Sequence, residues 1–138
     1  MAVLDSLLEN LKEYTQKLDE VAGGGYDLEN WLVLYATIHL LQVHAQAFID
    51  IVQTLLSNMG QNVDGYKESV RKLRELGLID DEEMRFALAL VGFRNIVVHE
   101  YARVNVNVVK RVLANREYRK ALEIAVKLRE KAGHAWDC

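Results

Sequence analysis

The eight residues Arg94-Asn95-Ile96-Val97-Val98-His99-Glu100-Tyr101 gather a fixed cation, an amide, a titratable imidazole and a phenol. They close a run, Phe86 to Phe93, that contains no polar side chain, and from Phe86 to Val98 only Arg94 and Asn95 are polar. Charged groups are seldom buried without partners, so polar residues ending an apolar helix need a reason. Arginine beside histidine is the minimum equipment for handling a phosphate: a guanidinium holds the charge and an imidazole moves a proton near neutral pH.

The elements that position these groups are helical. The chain has 138 residues, 51% of them hydrophobic, no proline and few glycines, which predicts one all-α domain spanning 1–138 with a substantial core. Hydrophobic periodicity predicts about five helices, from Ala2 to Val21, Leu28 to Asn58 behind an Asp27 cap, Tyr66 to Leu76, Asp81 to Val98, and Val108 to Ala132. Gly77 stops the third, an Asp80/Glu83 capping box opens the fourth, Asn105 or Asn107 caps the fifth and Gly133 ends it. The expected architecture is an antiparallel helical bundle.

On the fourth helix, Phe86, Leu90, Phe93 and Val97 form one apolar stripe, and Leu88, Ala89, Gly92 and Ile96 another on roughly the opposite side. One core cannot easily bury both, so a homodimer is expected through this helix. Arg94 and His99 are five residues apart, which an ideal helix separates by about 140°. They converge if the helix loosens near its end, or if a two-fold axis brings Arg94 of one copy toward His99 of another, which is the preferred arrangement. A simpler reading stands beside it: His99 complements the helix dipole and Arg94 pairs with a carboxylate such as Asp50. Asp50 itself is either a structural partner of a cation or a group that orients the site from behind.

Other chemistry is poorly supported. His39 and His44 face different directions, His134 and Cys138 lack further ligands, and no glycine-rich phosphate loop occurs, so no metal or cofactor is expected. The single cysteine, Cys138, fits a reducing cytosol, and the N-terminus lacks a signal-peptide pattern. The stretch Trp31 to Leu56 is broken by His39, Gln42, His44, Gln46 and Asp50 and reads as too polar to span a bilayer. The net charge of −3 argues against strong nucleic-acid binding, but it is unevenly spread. Residues 1–69 carry three lysines against ten carboxylates, whereas residues 103–131 hold nine cations and three glutamates. That basic segment is a solvated helix face, a phosphate-backbone track or a dock for an acidic partner.

On Arg94, Asn95, His99 and Tyr101, preceded by Val91-Gly92-Phe93, with Tyr66 opening the third helix and Asp50 in the second, the chain resembles the HEPN superfamily. The likeness is to the compact branch that supplies the toxin of HepT/MntA toxin–antitoxin pairs, and it covers essentially the whole chain. It implies an all-α homodimer acting as a metal-independent endoribonuclease in a type VII-like toxin–antitoxin system. In that reading His99 is general acid or base, Arg94 holds the scissile phosphate and Asn95 orients the phosphate or His99. Tyr101 would be the residue that a minimal, MntA-like nucleotidyltransferase adenylylates to silence the toxin. The alternative is a non-catalytic helical dimer that binds such a nucleotidyltransferase through the basic fifth helix.

Overall fold

The computed structural model describes residues 2–138, which form six α-helices: α1 (Val3–Gly23), α2 (Trp31–Asn58), α3 (Tyr66–Glu75), α4 (Asp81–His99), α5 (Val106–Ala114) and α6 (Arg119–Ala132). Short 3-10 turns follow α4 (Tyr101–Arg103) and α6 (Gly133–Asp137). No strand is present among the described residues.

The central helix α2 packs most extensively on α1 and also meets α3, α4 and α6. It threads two hydrophobic clusters. Its C-terminal half, from Ala47 to Leu56, packs in the larger one with Leu4, Leu8 and Leu11 of α1, Val91 of α4, and Ile124 and Leu128 of α6. Its N-terminal half contributes Ile38 and Leu41 to the second, with Leu18, Val97, Val109, Leu113 and Tyr118. By length and mean hydropathy α2 does qualify as a bilayer span, so its scattered polar residues do not rule one out as expected; its apolar residues instead build the core.

Two of the expected helix signals work as local chemistry requires. Asp80 accepts the Glu83 N–H at 2.8 Å, and the Glu83 carboxylate accepts the Asp80 N–H at 3.0 Å. After α3, Gly77 takes φ 76° while the Leu78 N–H reaches Leu73 C=O and the Gly77 N–H reaches Arg74 C=O, a Schellman ending. The start of α2 differs from expectation. Asn30, not Asp27, caps it, accepting from Leu32 and Val33 N–H, while Asp27 accepts from Glu29 and closes the turn before it.

The largest departure is the predicted fifth helix, which breaks into α5 and α6 at residues 115–118. Arg116 sits at φ 51°, a left-handed conformation that costs a non-glycine residue about 1–2 kcal/mol. The break turns Tyr118 inward, where it is buried, and its hydroxyl donates to Asp19. Arg116 and Arg119 converge on the same Asp19 oxygen at 3.3 and 2.9 Å. Burial alone would raise the Asp19 carboxyl, but the bonds from Arg119 and Tyr118 prevail and hold it below the usual range. Burial, then its bond to Asp19, pushes the Tyr118 phenol up to about 12.

The same turn ties down a buried histidine. His44 Nε2 lies 3.0 Å from Tyr118 C=O. A carbonyl only accepts, so Nε2 carries the hydrogen and Nδ1 presents a lone pair. Burial lowers the His44 pKa to about 4, against the opposing pull of that bond.

Two predictions follow from this packing. Below pH 6.5 an unfolded chain takes up a proton that native His44 refuses, so stability is full above that pH and falls toward pH 4 by up to about 3 kcal/mol. Its charged neighbours, Arg111 and Glu117, are paired with each other, so their fields oppose. Denaturant midpoints measured from pH 7.5 to 4.5 for wild type and His44→Gln should show a shallower slope in the variant. Second, Asp19→Ala should lower stability by about 1–3 kcal/mol by stranding the Tyr118 hydroxyl, and adding Tyr118→Phe should recover part of the loss in urea unfolding.

Candidate active site

The site lies at the seam between the two clusters. Along α4 the core passes from Val91 in one cluster to Val97 in the other, and along α2 from Ala47 to Leu41. Arg94 and Gln46 fall inside these two intervals. Arg94 is half-buried and its Nε donates to Gln46 Oε1 at 2.9 Å. Gln46 Nε2 in turn donates to Asp50 Oδ1 at 2.8 Å, one helical turn further along α2. A carboxylate can only accept, which fixes the amide's orientation: nitrogen toward Asp50, oxygen toward Arg94. Asp50 thus acts on the guanidinium through an amide and forms no direct ion pair with it.

Two more groups hold the arginine. Nη1 donates to Asn95 Oδ1 at 3.1 Å, and the guanidinium carbon lies 5.0 Å from the Tyr66 ring centroid. Gly65, at φ 90° in a conformation that favours glycine, caps α3 and presents Tyr66. Nη2 has no acceptor among the described residues. The result is a cation held at Nε, at Nη1 and over one face, with Nη2 left to donate to an anion.

Helix α4 stays regular through His99, so no loosening brings the imidazole toward Arg94 of the same chain. His99 is exposed at the C-terminus of α4, with no side-chain partner among the described residues. Asn95 shares its face but bonds Arg94.

Tyr101, seven residues after Arg94, lies outside α4. The helix stops at His99, Glu100 turns the chain at φ −143° and ψ 54°, and Tyr101 begins a separate 3-10 turn. Its ring packs edge-on against Tyr35 of α2 at 5.5 Å, and Tyr35 against Trp31 at 5.8 Å. All three rings are exposed, forming an aromatic row on the surface. Partial burial, and then Tyr35, raise the Tyr101 phenol above its ordinary value. Glu100 is occupied by Arg103.

The two-stripe reading of α4 needs correction. The core-facing line is Glu83, Ala87, Val91 and Val97. Phe86, Leu90 and Phe93 flank it half-buried. Ala89 and Ile96 are exposed, with Leu88 and Gly92 half-covered between them. The basic segment also changes character. Arg116 and Arg119 pair with Asp19, Lys120 with Glu82, Lys127 with Glu83, Arg111 with Glu117 and Arg103 with Glu100, so most of its cations are internally paired. Gln46 escaped the sequence reading as a site residue. Its signal was a polar line, Gln42, Gln46 and Asp50, at four-residue spacing on an otherwise apolar helix.

Comparison with known proteins bears on the family and the fold. The HepT-like family, described as ribonuclease HepT-like, matches residues 4–128. A curated RNase candidate of Archaeoglobus fulgidus is 27% identical over 93 residues, 67% of this chain and 69% of that protein. A second from the same organism is 35% identical over 77 residues, 56% of each. Among solved structures, the tri-AMPylated HEPN toxin of Shewanella oneidensis, in complex with MNT antitoxin, has the same fold. Its TM-score is 0.84 at 20% identity, over 94% of this chain and 98% of that one. Matched over nearly its whole length, the chain belongs to the HepT-like ribonuclease family.

Proposed function

We propose that this protein is the RNA-cleaving toxin of a toxin–antitoxin pair, active as a homodimer. The observation that carries the reading is the Arg94 guanidinium, oriented by Gln46, Asn95 and Tyr66 but not neutralised by any of them. The partly exposed α4 face with Ala89, Ile96, Asn95 and His99 supports pairing of two copies there. Such pairing brings Arg94 of one copy toward His99 of the other and completes a cleft that one chain lacks.

In that cleft the RNA 2′-hydroxyl attacks the adjacent phosphorus. One imidazole takes the hydroxyl proton and the second supplies a proton to the departing 5′-oxygen, leaving a 2′,3′-cyclic phosphate and a 5′-hydroxyl. Arg94 places Nη2 on the phosphate oxygens, where negative charge grows in the transition state. Asp50 steadies Gln46, and Gln46 steadies Arg94. No step requires a metal ion.

Tyr101 is the proposed modification site. Its phenol is reachable, and AMP attached there adds a bulky anion beside the proposed cleft, competing with RNA for it. A partner nucleotidyltransferase would supply the AMP from ATP, with pyrophosphate leaving. The Shewanella oneidensis toxin, AMPylated and bound to an MNT antitoxin, supports this assignment. A second reading, a non-catalytic dimer that only docks such a partner, has the exposed Trp31–Tyr35–Tyr101 row in its favour. The internally paired basic segment weakens the docking route first expected for it.

Arg94→Ala should lower kcat/KM for RNA cleavage by about 10²–10³-fold and His99→Ala by about 10²–10⁴-fold, with chelators without effect. The check is cleavage of a labelled RNA by purified protein, together with growth on expression; wild type no more active than His99→Ala defeats the nuclease reading. Co-expression with the partner should raise the intact mass in steps of one AMP, and Tyr101→Phe should abolish the steps.

A further inference from the structure

The line of α2 that carries Gln46 continues past the arginine clamp. At about 100° per residue, Tyr35, His39, Gln42 and Gln46 fall within about 60° of one another on the helix surface. Both ends of this line are fastened to the α4 segment: Gln46 accepts from Arg94, and the Tyr35 ring meets Tyr101. From Tyr35 to Gln46 is about 16 Å of helix at 1.5 Å per residue. The line therefore follows the seam between α2 and the end of α4. The Arg94 guanidinium stands at one end and the Trp31–Tyr35–Tyr101 row at the other.

Its chemistry changes along the way. Trp31, Tyr35 and Tyr101 are 64%, 53% and 40% exposed, and their edge-on contacts hold the rings in fixed orientations. Aromatic surface left to water in a cluster marks a contact surface. Between row and clamp stand His39, exposed, and Gln42, half-buried, neither with a side-chain partner among the described residues. No carboxylate occurs from Trp31 to Ile49, and the two that border the seam are occupied, Asp50 by Gln46 and Glu100 by Arg103. A protein docking on the rings alone leaves His39, Gln42 and Arg94 without a part. A nucleic-acid strand uses all of them: a cation for a phosphate, uncharged polar groups for the backbone and rings for the bases.

We propose that the aromatic row is a stacking subsite for nucleobases of an RNA strand whose phosphate lies on Arg94, with His39 and Gln42 meeting the sugar–phosphate chain between them. The inference rests on the reading of Arg94 as a phosphate site. Stacking on an aromatic ring strengthens binding about five- to hundredfold per base and tolerates any base, because every base has a π-face. Trp31 and Tyr35 are positioning residues in this scheme: by holding the bases they fix which phosphodiester reaches Arg94.

The test compares two uncleavable strands of equal length on the purified full chain: oligoadenylate with 2′-O-methyl riboses, and the same backbone without bases. Wild type should bind oligoadenylate about tenfold or more tighter than the abasic strand. Binding should quench the fluorescence of exposed Trp31, the other tryptophan, Trp136, being buried. In Trp31→Ala and in Tyr35→Ala the two strands should bind alike, Tyr35→Phe should restore the preference, and Arg94→Ala should weaken both strands. Equal affinity of wild type for the two strands overturns the proposal, as does the absence of saturable binding. Loss of the dimer in Trp31→Ala, measured by sedimentation, overturns it by making the row an interface between copies. Unchanged oligoadenylate binding in Trp31→Ala with loss of AMP transfer by the partner overturns it by making the row that partner's dock. Cleavage of natural RNA is scored separately: a chain that shows the stacking preference without cutting keeps the subsite and loses the nuclease reading, and a chain that cuts without the preference does the reverse.

Discussion

A half-buried guanidinium has to be held without being cancelled. Two unit charges about 4 Å apart attract by roughly 4 kcal/mol at the effective dielectric of a protein surface. A carboxylate directly on Arg94 would compete at that scale with any phosphate. Gln46 resolves the conflict. Its amide oxygen accepts from Nε while its nitrogen is pinned by Asp50, so the acid fixes geometry and an uncharged group makes the contact. Tyr66 and Asn95 add a face and a second edge on the same terms, since neither carries a charge.

That clamp depends on the register of α2 against α4. Gln46 lies between buried Ala45 and Ala47, and Arg94 three residues after buried Val91. Leu41 and Val97 belong to one cluster, Ala47 and Val91 to the other, so a slip along either helix would break both clusters at once. Close packing leaves little freedom for such a slip. The site is thus placed by apolar contacts that never touch it. The Asp80/Glu83 capping box fixes where α4 begins, and Gly65 fixes where Tyr66 enters α3.

The break between α5 and α6 shows how a tertiary constraint overrides local propensity. Nothing between Val108 and Ala132 stops a helix in the manner of glycine or proline. The chain accepts a left-handed Arg116 because the turn delivers Tyr118, Arg116 and Arg119 to Asp19, and the Tyr118 carbonyl to His44. The same rearrangement consumes much of the positive charge that looked free along the sequence.

The sequence by itself determined the helical class, the capping box, the stop at Gly77 and the arrival of Arg94, Asn95 and His99 at the end of an apolar helix. Those features arise from interactions a few residues long, in which periodicity and capping chemistry act locally. Only the tertiary structure decided that Gln46 stands between Arg94 and Asp50, that Tyr101 leaves α4 to pack on Tyr35, and that the predicted fifth helix breaks at Asn115. Each involves partners far apart along the chain, Arg94 with Gln46, Tyr101 with Tyr35 and Tyr118 with Asp19. Short-range periodicity carries no information about such pairs, because they exist only once the two clusters have set the helices against one another.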